Sequence, residues 1–245
     1  MARTAVFLNG MTEMHRMSDR VFSGHQPNFL PYMGFFYKMF RSDVFILDDD
    51  VQYSSKAWHN TNFIKAGQDK YRLTVPVSYT FGDPINKVEI SYAKPWDKKL
   101  LSTLRMSYGK APFFEEGFSL IERHISKHPQ KLVDLTIPLI REVHDLFGLG
   151  CEIVLSHTMP TELRNNERNI WQCEQLGCNI YYSGIGGREY NDAAAYAAHG
   201  IRLEYSDYGP TPYRQVGKGA FIENLSVIDY IFNKGFVLPE EWVRE

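Results

Sequence analysis

The hydrophobic pattern changes period along the chain. Asp43-Val44-Phe45-Ile46-Leu47 is a continuous apolar run of the kind shown by a strand buried on both faces. Before it, Arg20-Val21-Phe22-Ser23 reads as a short strand. Pro31 to Phe40 reads as a helix, with proline near the start, where a missing N–H costs nothing. Strand, loop, helix, strand is a βαβ unit. The next stretch is antiparallel in character: 62–65 and 71–77 flank a Gly67-Gln68-Asp69 turn, and 87–91 is a further strand candidate. Beyond Pro95, residues 96–107, 113–126 and 132–147 carry apolar residues three and four apart, and Gly148 and Gly150 stop the last of these helices. Alternation then resumes. Strands are expected at 151–156, 179–183 and 202–205, and helices at 161–176 with Thr161 as N-cap, at 192–198 and at 225–233, ended by Gly235.

Strands alternating with helices predict an α/β fold, Rossmann-like, with a mainly parallel sheet and helices on both faces. The helices around 95–150 are expected to form a subdomain inserted in a single α/β domain at 21–245. Residues 1–20 read as an extension or flexible segment, and there is no internal repeat, low-complexity tract or long linker.

Composition narrows the function class. The 245 residues are 44% hydrophobic and 23% charged with a net charge of -2. Such a balance gives no long-range field toward nucleic acid or an anionic membrane. No apolar run approaches the roughly 20 residues that span a bilayer. Three cysteines without close pairing make no disulfide framework, so buried, reduced thiols are expected. A cytoplasmic enzyme acting on a small molecule is the simplest reading.

Polar residues gather where strands end. Gly24-His25-Gln26-Pro27-Asn28 lies between the first strand and helix, where open α/β folds bind ligands and where a helix N-terminus favours anions. On that ground neutral His25 is expected to donate a hydrogen bond to a ligand anion from a surface loop. Asp48-Asp49-Asp50-Val51-Gln52-Tyr53 ends the second strand and should share one rim with His25. Its carboxylates are candidates for holding magnesium or accepting a proton. In the following run, Trp58-His59-Asn60-Thr61-Asn62-Phe63-Ile64-Lys65, the amides and the lysine suit sugar hydroxyls or phosphate. Ser183-Gly184-Ile185-Gly186-Gly187 with Tyr190 is a glycine-rich turn that matches neither a Walker nor a dinucleotide pattern. His124, His128, His144, His157 and His199 are too scattered to suggest a metal set.

These pieces, in this order, resemble the WbqC-like family. The resemblance runs through His25-Gln26-Pro27-Asn28-Phe29-Leu30-Pro31 with Gly34-Phe35-Phe36, then Asp49-Asp50-Val51-Gln52-Tyr53, then Asn60, Asn62, Ile64 and Lys65. It continues in Tyr181-Tyr182-Ser183-Gly184 with Tyr190, and in Tyr213, Gln215, Phe221 and 225–235, so that about 20–235 is covered. One position departs: the third block usually carries Arg between its two Asn, and Thr61 stands here, leaving Lys65 or Arg72 to supply an anion contact. The resemblance implies a place in O-antigen or related bacterial surface-polysaccharide synthesis. The layout around His25 and Asn28 is also similar to nucleotidyltransferases and related ligases, whose His-x-Gly-His loop cradles ATP phosphates.

The expected activity is acyl or aminoacyl transfer to a nucleotide-linked amino sugar, with ATP and magnesium as candidate cofactors. In this reading His25, Asp49 and Asp50 are the candidate catalytic residues. Gln26, Asn28, Gln52, Tyr53, Asn60, Asn62, Lys65, Ser183, Gly184, Tyr190 and Gln215 are the candidate substrate-binding residues. A nucleotide-sugar glycosyltransferase and a non-catalytic binding protein of the same pathway are the alternatives.

Overall fold

The structure is a computed structural model and describes residues 19–242. Residues 1–18 of the expected N-terminal extension lie outside the described residues. Five parallel strands form the central sheet: β1 (Val21–His25), β2 (Val44–Leu47), β7 (Glu152–Leu155), β8 (Ile180–Ser183) and β9 (Arg202–Tyr205), in the order β7-β2-β1-β8-β9. Strand β2 is buried along its whole length, as its unbroken apolar run requires. Its side chains alternate: Phe45 and Leu47 enter the larger core, while Val44 and Ile46 enter the smaller one.

The two cores lie on opposite faces of the sheet. The smaller is closed by Ile170 and Cys173 of α5 (Asn165–Gln175) and Tyr196 of α6 (Ala193–Ala198). The larger is built from α1 (Met33–Phe40), α2 (Trp96–Tyr108), α3 (Phe114–Ile125), α4 (Leu132–Leu146) and α7 (Val227–Lys234). The helices of 95–150 therefore share the main apolar core through residues such as Phe118, Ile121 and Leu135, which touch the same cluster as Phe232 and Phe36. Between β2 and α2, β3 (Thr61–Ala66) pairs antiparallel with β4 (Asp69–Thr74), and β5 (Val77–Ser78) pairs with β6 (Glu89–Ile90). No helix among the described residues is long and apolar enough to cross a membrane, and the three cysteines are buried.

Local chemistry places the ends of the elements. Ser226 caps α7, its Oγ accepting from Ile228 N–H at 3.4 Å, and Asp192 caps α6 by accepting from Ala194 and Ala195 N–H. Thr161 does not cap α5. That helix begins four residues later than its pattern suggests, and Thr161 Oγ1 instead accepts from Leu163 N–H in a turn.

The switch point of the sheet positions the site. From β1 the chain proceeds to β2 and β7 on one side, and later to β8 and β9 on the other. Strands β1 and β8 pair only at Val21↔Ile180 and Phe22↔Tyr181, and beyond that Ser23 Oγ bonds Tyr182 O at 2.6 Å. The switch point of the strand order, where open α/β sheets place their ligands, thus falls between β1 and β8.

Candidate functional site

His25 closes β1, and Asp48 follows the end of β2, with Asp48 N–H donating to His25 O at 3.0 Å. The Asp48 carboxylate leans back over β1: a β-carbon placed on Gly24 would lie 3.3 Å from Asp48 Oδ2. From beneath, Lys38 of α1 donates to Gly24 O at 2.9 Å. Lys38 is 5% exposed, so its ammonium is held inside the protein among Gly24, Asp48 and the Phe45 ring. Burial lowers its pKa to about 8, with Asp48 pulling in the other direction. Asp48 is displaced the opposite way. Burial raises its pKa to about 6, against the attraction of Arg168 and Lys38.

His25 is neutral. Burial is the main cause, lowering its pKa to about 4, and the positive charge of Lys38 adds to it. The helix N-terminus expected to do this is not what surrounds it. Helix α1 begins only at Met33, and residues 27–30 are buried rather than on the surface. His25 Nδ1 lies 3.0 Å from Gln26 O, a group that only accepts, so Nδ1 carries the proton and donates. The lone pair is then on Nε2. The ring offers an acceptor to a ligand, not the donor expected from the sequence.

The remaining carboxylates are more fully engaged. Asp49, 2% exposed, accepts from His157 N–H at 3.1 Å and lies 2.6 Å from His157 Nδ1. Ser156 Oγ is 3.1 Å from Asp49 Oδ1 and 2.5 Å from Asp50 Oδ1. Asp50 also accepts from Arg168 at 2.6 Å, whereas Asp48 stands 3.7 Å from the same guanidinium. The three aspartates are thus linked in a row: Asp49 and Asp50 share Ser156, and Asp50 and Asp48 face the same Arg168. Among the described residues no three His, Cys, Asp or Glu side chains gather as a metal-ligand group.

The family model for WbqC-like proteins matches residues 26–238. The chain belongs to the WbqC-like protein family. The uncharacterized protein Rv1507c of Mycobacterium tuberculosis is 29% identical over 219 residues, which cover 88% of this chain and 94% of that protein. No solved structure matches the chain.

The sequence blocks that carry the resemblance separate into two places in this WbqC-like chain. The first, second and fourth reach the rim: His25 and Gln26 at the end of β1, Asp49 and Asp50 after β2, and Ser183 and Gly184 at the end of β8. Asn28 lies just beyond His25 and is 5% exposed. Ser183 Oγ accepts from Asn191 at 3.0 Å, and a β-carbon at Gly187 would meet that Oγ at 2.1 Å, so only glycine fits the turn there. Tyr190 is 70% exposed, and Gln52 is exposed and bridged to Pro84. Tyr53 OH donates to Asn60 Oδ1 at 3.1 Å, and Asn60 Nδ2 donates to Val75 O, which ties the two residues to each other and to the strand beside them.

The third and last blocks build a different structure. Asn62 donates to Phe29 O and Leu30 O and accepts from Phe63 N–H, clamping the loop that follows His25. Lys65 donates to Ala220 O at 3.0 Å. Gln215 both donates to and accepts from Ile222 at 2.9 Å. Thr61, where the resemblance led to an expected Arg, donates to Leu73 O, and Arg72 lies over the Phe63 ring, so neither Lys65 nor Arg72 brings a cation to the rim. A cavity of about 280 Å³ between Met33, Tyr208, Tyr213, Phe221, Tyr230 and Trp242 is likewise lined by none of the strand-end residues.

Sequence reasoning left out Lys38 and Arg168, and named Asp48, His59 and His157 without choosing them as site residues. Lys38 had a signal: a lysine three residues after Phe35, on a helix whose other residues there are almost all apolar. Asp48 was passed over for its neighbours. Arg168 had no local signal, because its role depends on where α5 lands.

Proposed function

We propose that this protein is an acyltransferase or aminoacyltransferase acting on the amine of a nucleotide-linked amino sugar in bacterial surface-polysaccharide synthesis of the O-antigen type. It would work in the cytoplasm, where activated donors are made. The observation that carries this reading is a proton acceptor at each of two adjacent strand ends: the Nε2 lone pair of neutral His25 after β1, and after β2 the Asp48 carboxylate, whose pKa of about 6 lies close to neutrality. An amine nucleophile has N–H groups to donate and a proton to lose, and this rim receives both. The amine nitrogen attacks the carbonyl carbon of an activated acyl donor and the C–N bond forms. The C–O bond to the leaving group breaks with its electron pair, and the amine proton passes to Asp48 or His25. Lys38, fixed on Gly24 O, holds the strand end and counters the charge of Asp48. ATP with magnesium is the donor-activating pair this reading would use; no ligand set for the metal is assigned.

The test incubates the full chain with ATP, magnesium, a pool of carboxylic and amino acids, and nucleotide-linked amino sugars. Release of pyrophosphate or phosphate that depends on the amino sugar, with a matching mass gain on the sugar, is the expected result. Cleavage of the nucleotide sugar without acyl gain would replace this reading with glycosyl transfer. Binding without turnover would leave a non-catalytic ligand-binding protein.

A further inference from the structure

Two buried polar atoms at this corner have no partner among the described residues: Asn28 Oδ1 and His59 Nε2. Their residues are 5% and 1% exposed. Their backbones are adjacent: Phe29 N–H donates to Trp58 O at 3.1 Å, so the peptide after Asn28 meets the peptide before His59. Both lie beside the candidate amine site. Asn28 is three residues beyond His25, and His59 is close enough that a proton on its ring would disfavour one on His25. Leaving a buried polar group unbonded destabilises the fold, so two at one corner suit a small bound polar group.

The two atoms differ in kind. His59 Nδ1 accepts from Ser54 N–H at 3.4 Å, and burial keeps the ring neutral, with its pKa lowered to about 4. The single ring proton is therefore on Nε2, which is a donor. Asn28 Oδ1 is an acceptor. A phosphate or carboxylate oxygen would satisfy the first and repel the second, and an ammonium would do the reverse. A hydroxyl satisfies both, since it donates once and accepts twice.

We propose that Asn28 and His59 form a hydroxyl subsite, and that the amine substrate therefore carries a hydroxyl next to its amine. The substrate class is a vicinal amino alcohol, the arrangement found in an amino sugar. This rests on the reading of His25 and Asp48 as the amine site. Tyr53 packs on the His59 ring with centroids 5.3 Å apart and is held by Asn60, so the subsite is supported from behind by the second and third sequence blocks.

The probes are trans-2-aminocyclohexanol and cyclohexylamine, which differ by one hydroxyl. Their binding to the full chain is measured by calorimetry or by NMR shift titration. The amino alcohol is expected to bind at least about tenfold more tightly, the worth of one to two well-made hydrogen bonds. His59→Phe keeps the ring and removes the donor; it should close that gap while leaving cyclohexylamine affinity unchanged. Long-range proton–nitrogen NMR on the parent chain reads the His59 tautomer directly, with no variant that must fold, and should find the proton on Nε2. Equal affinity for the two probes, with the amines still lost in His25→Ala, would overturn the hydroxyl subsite and leave the amine site standing; the two atoms would then serve an ordered water. No binding of either amine, or binding indifferent to His25→Ala, would overturn both. A proton found on Nδ1 of His59 would overturn the subsite alone.

Discussion

The molecule contains the same arrangement of charge twice. At the strand ends, buried Lys38 donates to a main-chain carbonyl, Gly24 O, and lies near an aspartate, Asp48, raised to about 6. Under α7, buried Lys65 donates to Ala220 O and lies near Asp229, also raised to about 6. Burial is the leading cause for both acids. The difference is in the remaining hydrogen-bond capacity. Asp229 is 0% exposed and accepts from Tyr108 OH at 3.2 Å and Tyr213 OH at 3.3 Å, so it is sealed. The Asp48 side chain keeps 24% exposure and stands back from Arg168. A displaced pKa marks low dielectric and nearby charge; reachable, unspent acceptor capacity is what separates a reactive carboxylate from a structural one.

Substituting each acid by its amide tests that distinction most severely. Asp48→Asn should lower turnover in the coupled acyl-transfer assay by about 10²- to 10⁴-fold, the usual worth of a positioned proton acceptor, with little change in the thermal midpoint. The comparison breaks if Asp229→Asn does the same at unchanged stability.

Stability should respond the other way round. Asp229→Ala takes the acceptor from two buried tyrosine hydroxyls and the counter-charge from Lys65, and should cost about 3–5 kcal/mol in urea unfolding. Ligand affinity at the rim should be unaffected.

The pH profile sharpens the contrast further. An acid raised to about 6 in the fold, against an ordinary value of 3.8, binds a proton there that the unfolded chain has lost. Stability from Asp229 is therefore fully present below about pH 4, falls as pH rises to about 6, and is flat above. His25 and His59, lowered to about 4 from 6.5, act with the opposite sign across the same window. Relative to the parent chain, Asp229→Asn should gain stability on going from pH 4 to 6, by at most about 3 kcal/mol. Unfolding curves at stepped pH would show this, and an unchanged slope would mean that Asp229 titrates normally. The smallest effect is electrostatic: Lys38→Met removes the cation that helps keep His25 neutral, so the His25 ring should titrate at higher pH in NMR.

The parallel sheet was readable because its evidence is local. The apolar run of β2 and the helical spacing of α2, α3 and α4 each determine their element almost alone. The rim was partly readable for the same reason, since strand ends carry His25, Asp49, Asp50 and Ser183 by sequence position. What could not be read was the division of labour among these groups. Asn62, Lys65 and Gln215 are as polar as His25, yet their bonds go to main-chain atoms of Leu30, Ala220 and Ile222 that are distant in sequence or across an irregular turn. The His25 tautomer depends on a carbonyl one residue away whose direction no spacing rule gives. Lys38 and Arg168 acquire meaning only once α1 and α5 are docked.

The clamp on the loop after His25 bears on how the chain matures. Leu30 O is held by Asn62 and by Ser226, and the latter bond spans 196 residues of sequence. Contacts that far apart close late, because the intervening chain must be ordered before they can pay back their entropy. A growing chain still lacking α7 can therefore pair β1 with β2 yet leave the His25 loop unfastened. On this view the rim is completed near the end of synthesis, and nascent molecules carry its residues before the loop beside them is fastened.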